Sequence, residues 1–73
     1  MTRWRWQLRR ITPARTLAGQ ATHVVVGIVR SAAGERMALQ TGDEGEPVIL
    51  PPRAMAELVA NTRAVLDRDV GGA

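Results

Sequence analysis

The chain has 73 residues, 45% of them hydrophobic, with one histidine, no cysteine and no lysine, so it is one small domain without a disulfide or a thiolate metal site. Ten arginines against seven acids give a net charge of +3, and no apolar run approaches the roughly eighteen residues that a membrane-spanning helix needs. So short a chain with no staple is expected to gain stability by oligomerising, as a homodimer or on a permanent protein partner.

Charge is unevenly placed. Arg3, Arg5, Arg9, Arg10 and Arg15 fall in the first fifteen residues with no acid among them, while the remainder carries five arginines against seven acids. Exclusive use of arginine fits a GC-rich codon bias, and it equally fits phosphate recognition through the bidentate guanidinium fork. Arg9 and Arg10 interrupt the N-terminus after Leu8, so no signal-peptide core forms and the expected location is cytoplasmic. One domain spans 1–73, with 1–2 and 70–73 expected as frayed ends.

Residues 3–11 alternate, with Trp4, Trp6 and Leu8 on one side and Arg3, Arg5, Gln7 and Arg9 on the other, which predicts a strand. Its tryptophans either pack on the core or stack on a base while Arg3, Arg5, Arg9 and Arg10 hold phosphates. Residues 12–20, with Pro13 and Gly19, read as a connection. Residues 22–31 are β-branched on both faces, which implies a strand buried on both sides or covered by an interface on one. Gly27 in its middle marks a bulge or a close backbone approach, and Val25 and Val29 are core or interface candidates. His23 at the start of this strand reads as a surface residue.

Ser31-Ala32-Ala33-Gly34 predicts a tight turn, and 35–41 a return strand with Met37 and Leu39 inward and Arg36, Ala38 and Gln40 outward. Residues 42–46 read as a solvated acidic turn, without the alternating ligands of a calcium loop. Val48 to Leu50 is a last short strand, stopped by Pro51-Pro52. There a helix begins and runs to about Arg68. Its apolar stripe, Met55, Leu58, Val59, Thr62, Val65 and Leu66, recurs at helical spacing and is expected to lie across the sheet. The fold expected is α+β, a small four-stranded, mainly antiparallel sheet followed by one C-terminal helix.

No catalytic, cofactor or metal site is expected. The single serine lies in a turn, the acids lie in turns or on the helix exterior, and the glycines never take phosphate-loop spacing. With one helix there is no helix-turn-helix either. What remains is a non-catalytic binding module without a membrane role.

The run Arg36-Met37-Ala38-Leu39-Gln40-Thr41, the acidic turn, Glu46-Pro47-Val48-Ile49-Leu50 and Pro52-Arg53-Ala54-Met55-Ala56-Glu57-Leu58 resembles a small actinobacterial family. This is the domain-of-unknown-function family that includes the BldB developmental regulator. The likeness covers residues 24–66. The family's Arg-Asp-Ser after the second strand is Gln40-Thr41-Gly42 here, and its helix tryptophan is Met55 or Leu58, so no site residue is carried over. The resemblance implies a regulator that binds a transcription factor, such as one of the helix-turn-helix class, or its own kind. The order of four strands then a helix, with Pro47-Val48-Ile49-Leu50 entering the helix, is also similar to the single-stranded-DNA-binding coactivators of the positive-cofactor-four type. That likeness implies nucleic-acid binding on a basic, aromatic sheet face. The expected function is a small regulatory protein that binds a DNA-binding regulator or the transcription machinery, with direct nucleic-acid binding through the Arg/Trp strand as the alternative.

Overall fold

In chain order the protein forms β1 (Trp4–Arg15), β2 (Ala21–Ser31), β3 (Gly34–Thr41), β4 (Val48–Ile49) and α1 (Pro52–Gly72). The structure is a computed structural model that describes residues 3–72, with side chains through Arg68. All strand pairs are antiparallel and follow the order β1-β2-β3-β4. The fold is therefore α+β, a four-stranded antiparallel meander followed by a single C-terminal helix. Residues 1–2 and 73, expected as frayed, lie outside the described residues. Residues 70–72, expected beyond the helix end, are helical backbone.

β1 is longer than its alternation predicts and runs through Pro13 to Arg15. Proline is accommodated because β1 is an edge strand, where a missing N–H leaves no ladder bond unmade. The reversal that follows is closed by the Thr16 N–H to the Gln20 carbonyl and the Gly19 N–H to the Thr16 carbonyl, both 2.9 Å. The β2–β3 hairpin pairs Ser31 with Gly34 across Ala32 and Ala33. Gly34 has φ of 100°, the left-handed residue that completes a type I turn with its bulge.

Residues paired across the ladder share a face of the sheet. One face, the inner one, carries Trp4, Trp6, Arg9 and Ile11 of β1, Val25, Gly27 and Val29 of β2, and Arg36, Ala38 and Gln40 of β3. The four buried side chains among the described residues, Val25, Val29, Ala38 and Gln40, all belong to it. The outer face carries Leu8, Val24, Val26, Ile28, Met37 and Leu39, none of them fully buried. This reverses the faces expected for β3. Ala38 (0% exposed) and Gln40 (8%) point inward, while Met37 and Leu39 lie on the outer face. β1 closes on the inner face at Gly27, where a Cβ would meet the Leu8 carbonyl oxygen, and the small Ala38 is the β3 partner of Gly27.

β1 also departs from the alternation expected of it. The pattern breaks between Trp6 and Leu8, where the register to β2 shifts by a bulge at Gln7. Leu8 thereby moves to the outer face with Arg5, and Arg9 joins Trp4 and Trp6 on the inner face.

Contrary to expectation, α1 does not lie across the sheet. Among the described residues no strand packs along it, and every residue from Val59 to Arg68 is exposed. The cause is the junction. The Leu50 N–H still donates to the Met37 carbonyl at 2.9 Å, and the Pro51 carbonyl already accepts the first helical bond from the Met55 N–H, also 2.9 Å. No loop remains in which the chain could turn back, so α1 projects. The molecule measures 45 × 30 × 17 Å with a radius of gyration of 14.2 Å, against roughly 11 Å for a compact chain of this length.

Candidate interaction surfaces

Three surfaces stand out, and each is built by a different feature of the chain. The first is a concavity of about 380 Å³ on the inner face, where Trp4, Trp6, Arg9, His23, Gln40 and Asp43 meet. Trp4 and Trp6 pack edge to face, with ring centroids 5.9 Å apart and planes at 89°. That geometry favours an aromatic pair and leaves both rings half-buried. At the opposite end His23 Nε2 lies 3.2 Å from Asp43 Oδ1. The loop carrying Asp43 is held in place by the Gly42 N–H donating to the His23 carbonyl at 2.9 Å. Gln40 Nε2 donates to the Gly45 carbonyl at 2.7 Å, so a buried polar side chain fastens this loop to the sheet.

The second surface is the outer face. Val26, Ile28, Met37 and Leu39 form its centre, and Leu8 at 54% and Val48 at 60% exposure extend it on either side. Its rim is basic. Arg5 stands directly opposite Arg30, Arg10 stands opposite Val26, and Glu35 beside Arg30 is the one acid in these rows. Like charges placed opposite each other repel, so the Arg5–Arg30 row favours an anionic neighbour. None of the β1 arginines forms an ion pair among the described residues.

The third surface is the stripe on α1. Met55 and Leu58 are half-buried near the junction, while Val59, Thr62, Val65 and Leu66 are exposed. The Thr62 hydroxyl donates to the Leu58 carbonyl at 2.7 Å, so it is satisfied without a partner. No helix among the described residues is long and apolar enough to cross a membrane.

The residues singled out in the sequence therefore separate into distinct places. Val25 and Val29 are core. Trp4, Trp6 and Arg9 share the inner concavity, and Arg5 and Arg10 lie on the outer face. Arg3 is exposed just before β1. The α1 residues form a surface of their own. Sequence reasoning missed Gln40 and Asp43 at the concavity, and it missed that Leu8, Val26, Ile28 and Leu39 share one apolar face. His23, expected at the surface, is half-buried beside Asp43. Among the described residues no three of His, Cys, Asp or Glu gather where they could share a metal ion. The Ser31 hydroxyl accepts a bond from the Ala33 N–H at 3.2 Å within its own turn. Compared with protein-family models, curated proteins and solved structures, the chain matches none.

Proposed function

We propose that this chain is a small, non-catalytic regulatory protein that works in the cytoplasm as a homodimer. Its partner is another protein, of the class of DNA-binding regulators or the transcription machinery. The observation that carries the reading is the outer face of the sheet, an apolar strip from Leu8 through Ile28 and Leu39 to Val48, more than half exposed at both ends, along which α1 does not pack. Apolar area left in water at this scale marks a protein-binding surface, and the arginine rim selects a partner whose apolar patch is bordered by carboxylates. The resemblance of residues 24–66 to the domain-of-unknown-function family that includes the BldB developmental regulator implies the same class of partner.

The test is capture of partners from native extract, with nuclease treatment in parallel, by the wild-type chain and by a Leu8→Glu, Val48→Glu variant. Both positions are more than half exposed, so the sheet should survive the change. A transcriptional regulator that survives nuclease and is lost with the variant supports the reading. A regulator retained equally by the variant overturns it.

A second reading, direct binding of single-stranded nucleic acid, is favoured by one observation. The bulge places Arg9 on the same face as Trp4 and Trp6, so a guanidinium for phosphate and two aromatic rings share one concavity. Nucleic acid recovered alone, and lost on nuclease or at high salt, would support it over the first.

A further inference from the structure

We propose that the open edge of β1 binds an acidic segment of another protein as an added strand, with an apolar-acid-acid-apolar run laid along residues 8–11. The site is the edge of the sheet, not its outer face, so its failure would leave the partner proposed for that face untouched. Three observations carry it.

The first is an uncovered ladder. β1 stands at one margin of the sheet and pairs with β2 alone among the described residues. Such a margin presents a row of main-chain donors and acceptors. Which residues supply them follows from two independent features. The Leu8 carbonyl is directed at Gly27 of β2, and main-chain groups alternate in direction along a strand. Arg9, Ile11 and Pro13 therefore turn theirs to the open side. Pro13 agrees, since a residue without an N–H belongs on an edge. Between the bulge at Gln7 and Pro13 lies an uninterrupted run, 8–12, every residue of it exposed. That is about the length of an ordinary strand.

The second is charge. β1 holds Arg5, Arg9, Arg10 and Arg15 and no acid, and none of the four forms an ion pair among the described residues. The bulge puts Arg9 on the inner face and Arg10 on the outer face, each next to an apolar residue 54% exposed, Ile11 and Leu8. Side chains paired across a ladder share a face. An added strand thus meets one guanidinium on each face, and two consecutive carboxylates match them. Its flanking apolar residues fall opposite Leu8 and Ile11.

The third is the chemistry of the competing occupants. A second β1 brings no carboxylate and sets arginine against arginine, which is destabilising. A DNA strand satisfies the guanidinium groups, but its sugar–phosphate backbone carries acceptors only and leaves the Arg9 and Ile11 carbonyls without donors. A peptide strand supplies donors and acceptors together.

The test is titration of a synthetic peptide with Val-Glu-Glu-Val at its centre into the isotopically labelled chain, followed by amide resonances. The Arg9 and Ile11 amides should shift and become protected from exchange, more than those of Arg10 and Thr12, which face β2. Ile11→Pro removes an edge N–H and no ladder bond. It should weaken binding about tenfold, with the emission of Trp4 and Trp6 unchanged as the check on folding. Arg9→Glu, Arg10→Glu should lose this peptide and bind its Val-Lys-Lys-Val counterpart. The same peptide N-methylated throughout keeps its charges and loses its donors, so it should not bind. Equal binding of the N-methylated peptide would mean attraction by charge without strand pairing, and would overturn the proposal. So would Arg9 and Ile11 amides that stay in place, or that move with a thymidine oligonucleotide and not with the peptide. A self-associated wild type that Ile11→Pro converts to single chains would give the edge to a second copy and overturn it as well.

Discussion

Gly27 lies directly beneath the carbonyl of Leu8. A Cβ built on Gly27 would overlap that oxygen and stand 2.8 Å from Arg9 Cα, so the bulge at Gln7 and the glycine opposite form a single feature. The obstruction is backbone, which cannot change rotamer to make room. Gly27→Ala is therefore expected to cost about 3 kcal/mol or more, at the upper end of overpacking effects, read as a lowered urea midpoint. Deleting Gln7 removes the extra residue while keeping Trp6 opposite Val29 and Leu8 opposite Ile28. Gly27→Ala should cost measurably less in that background, a coupling that a double-mutant cycle would detect. Equal cost in both backgrounds would separate the glycine from the bulge.

Gln40 links the core to the 42–45 loop, and its removal should loosen that loop before it unfolds the sheet. Gln40→Ala gives up the bond to the Gly45 carbonyl and leaves a small void beside Val25, together about 1–3 kcal/mol. Amide exchange should quicken first at Gly42 and its neighbours, because the Gly42 N–H bond to the His23 carbonyl depends on the same loop position. Uniform quickening across β2 and β3 would mean that Gln40 is an ordinary core residue.

How much of this is legible in the sequence depends on the range of the interaction involved. The hairpin at Ser31 to Gly34 and the helix start at Pro51-Pro52 are written in local backbone chemistry, and both form where that chemistry places them. Hydropathy reverses the inner and outer faces of β3, because it ranks Met37 and Leu39 above Ala38 and Gln40. The inward places are instead set by register with β2, which puts Ala38 opposite Gly27 and Gln40 opposite Val25. The side on which Arg9 falls is hidden for a related reason: nothing in Trp-Gln-Leu announces a bulge, whose cause lies at Gly27 in the next strand. Periodicity identifies the α1 stripe. It says that such a stripe needs cover, and cannot say whether the cover comes from the same chain.

The bulge also separates two neighbouring arginines. Arg9 shares a face with Trp4 and Trp6, and Arg10 does not. If the inner concavity binds single-stranded nucleic acid, Arg9→Gln should weaken an oligonucleotide more than Arg10→Gln does, by roughly the tenfold that corresponds to 1.4 kcal/mol. Removing one arginine that holds a phosphate should also flatten the salt dependence, lowering its slope by about 0.7 for a single strand. Fluorescence titrations at two salt concentrations would measure both. Equal, small effects of the two variants would mean that β1 attracts anions without a defined site.

The projecting helix leads to a prediction about dilution. If the proposed homodimer covers the α1 stripe from Met55 to Leu66, a seam of about three turns, that cover should be lost as the protein is diluted through the micromolar range. Separated chains leave α1 uncovered and marginal, while the sheet keeps its buried Val25, Val29 and Ala38. Circular dichroism at 222 nm should therefore fall as the protein is diluted through that range, with tryptophan emission unchanged. Val59→Glu, Val65→Glu should show the low helical signal at every concentration, although glutamate is a better helix former than valine. A helical signal that did not move with concentration in the wild type would show that α1 is stable alone. The uncovered stripe would then have to be explained without a second copy.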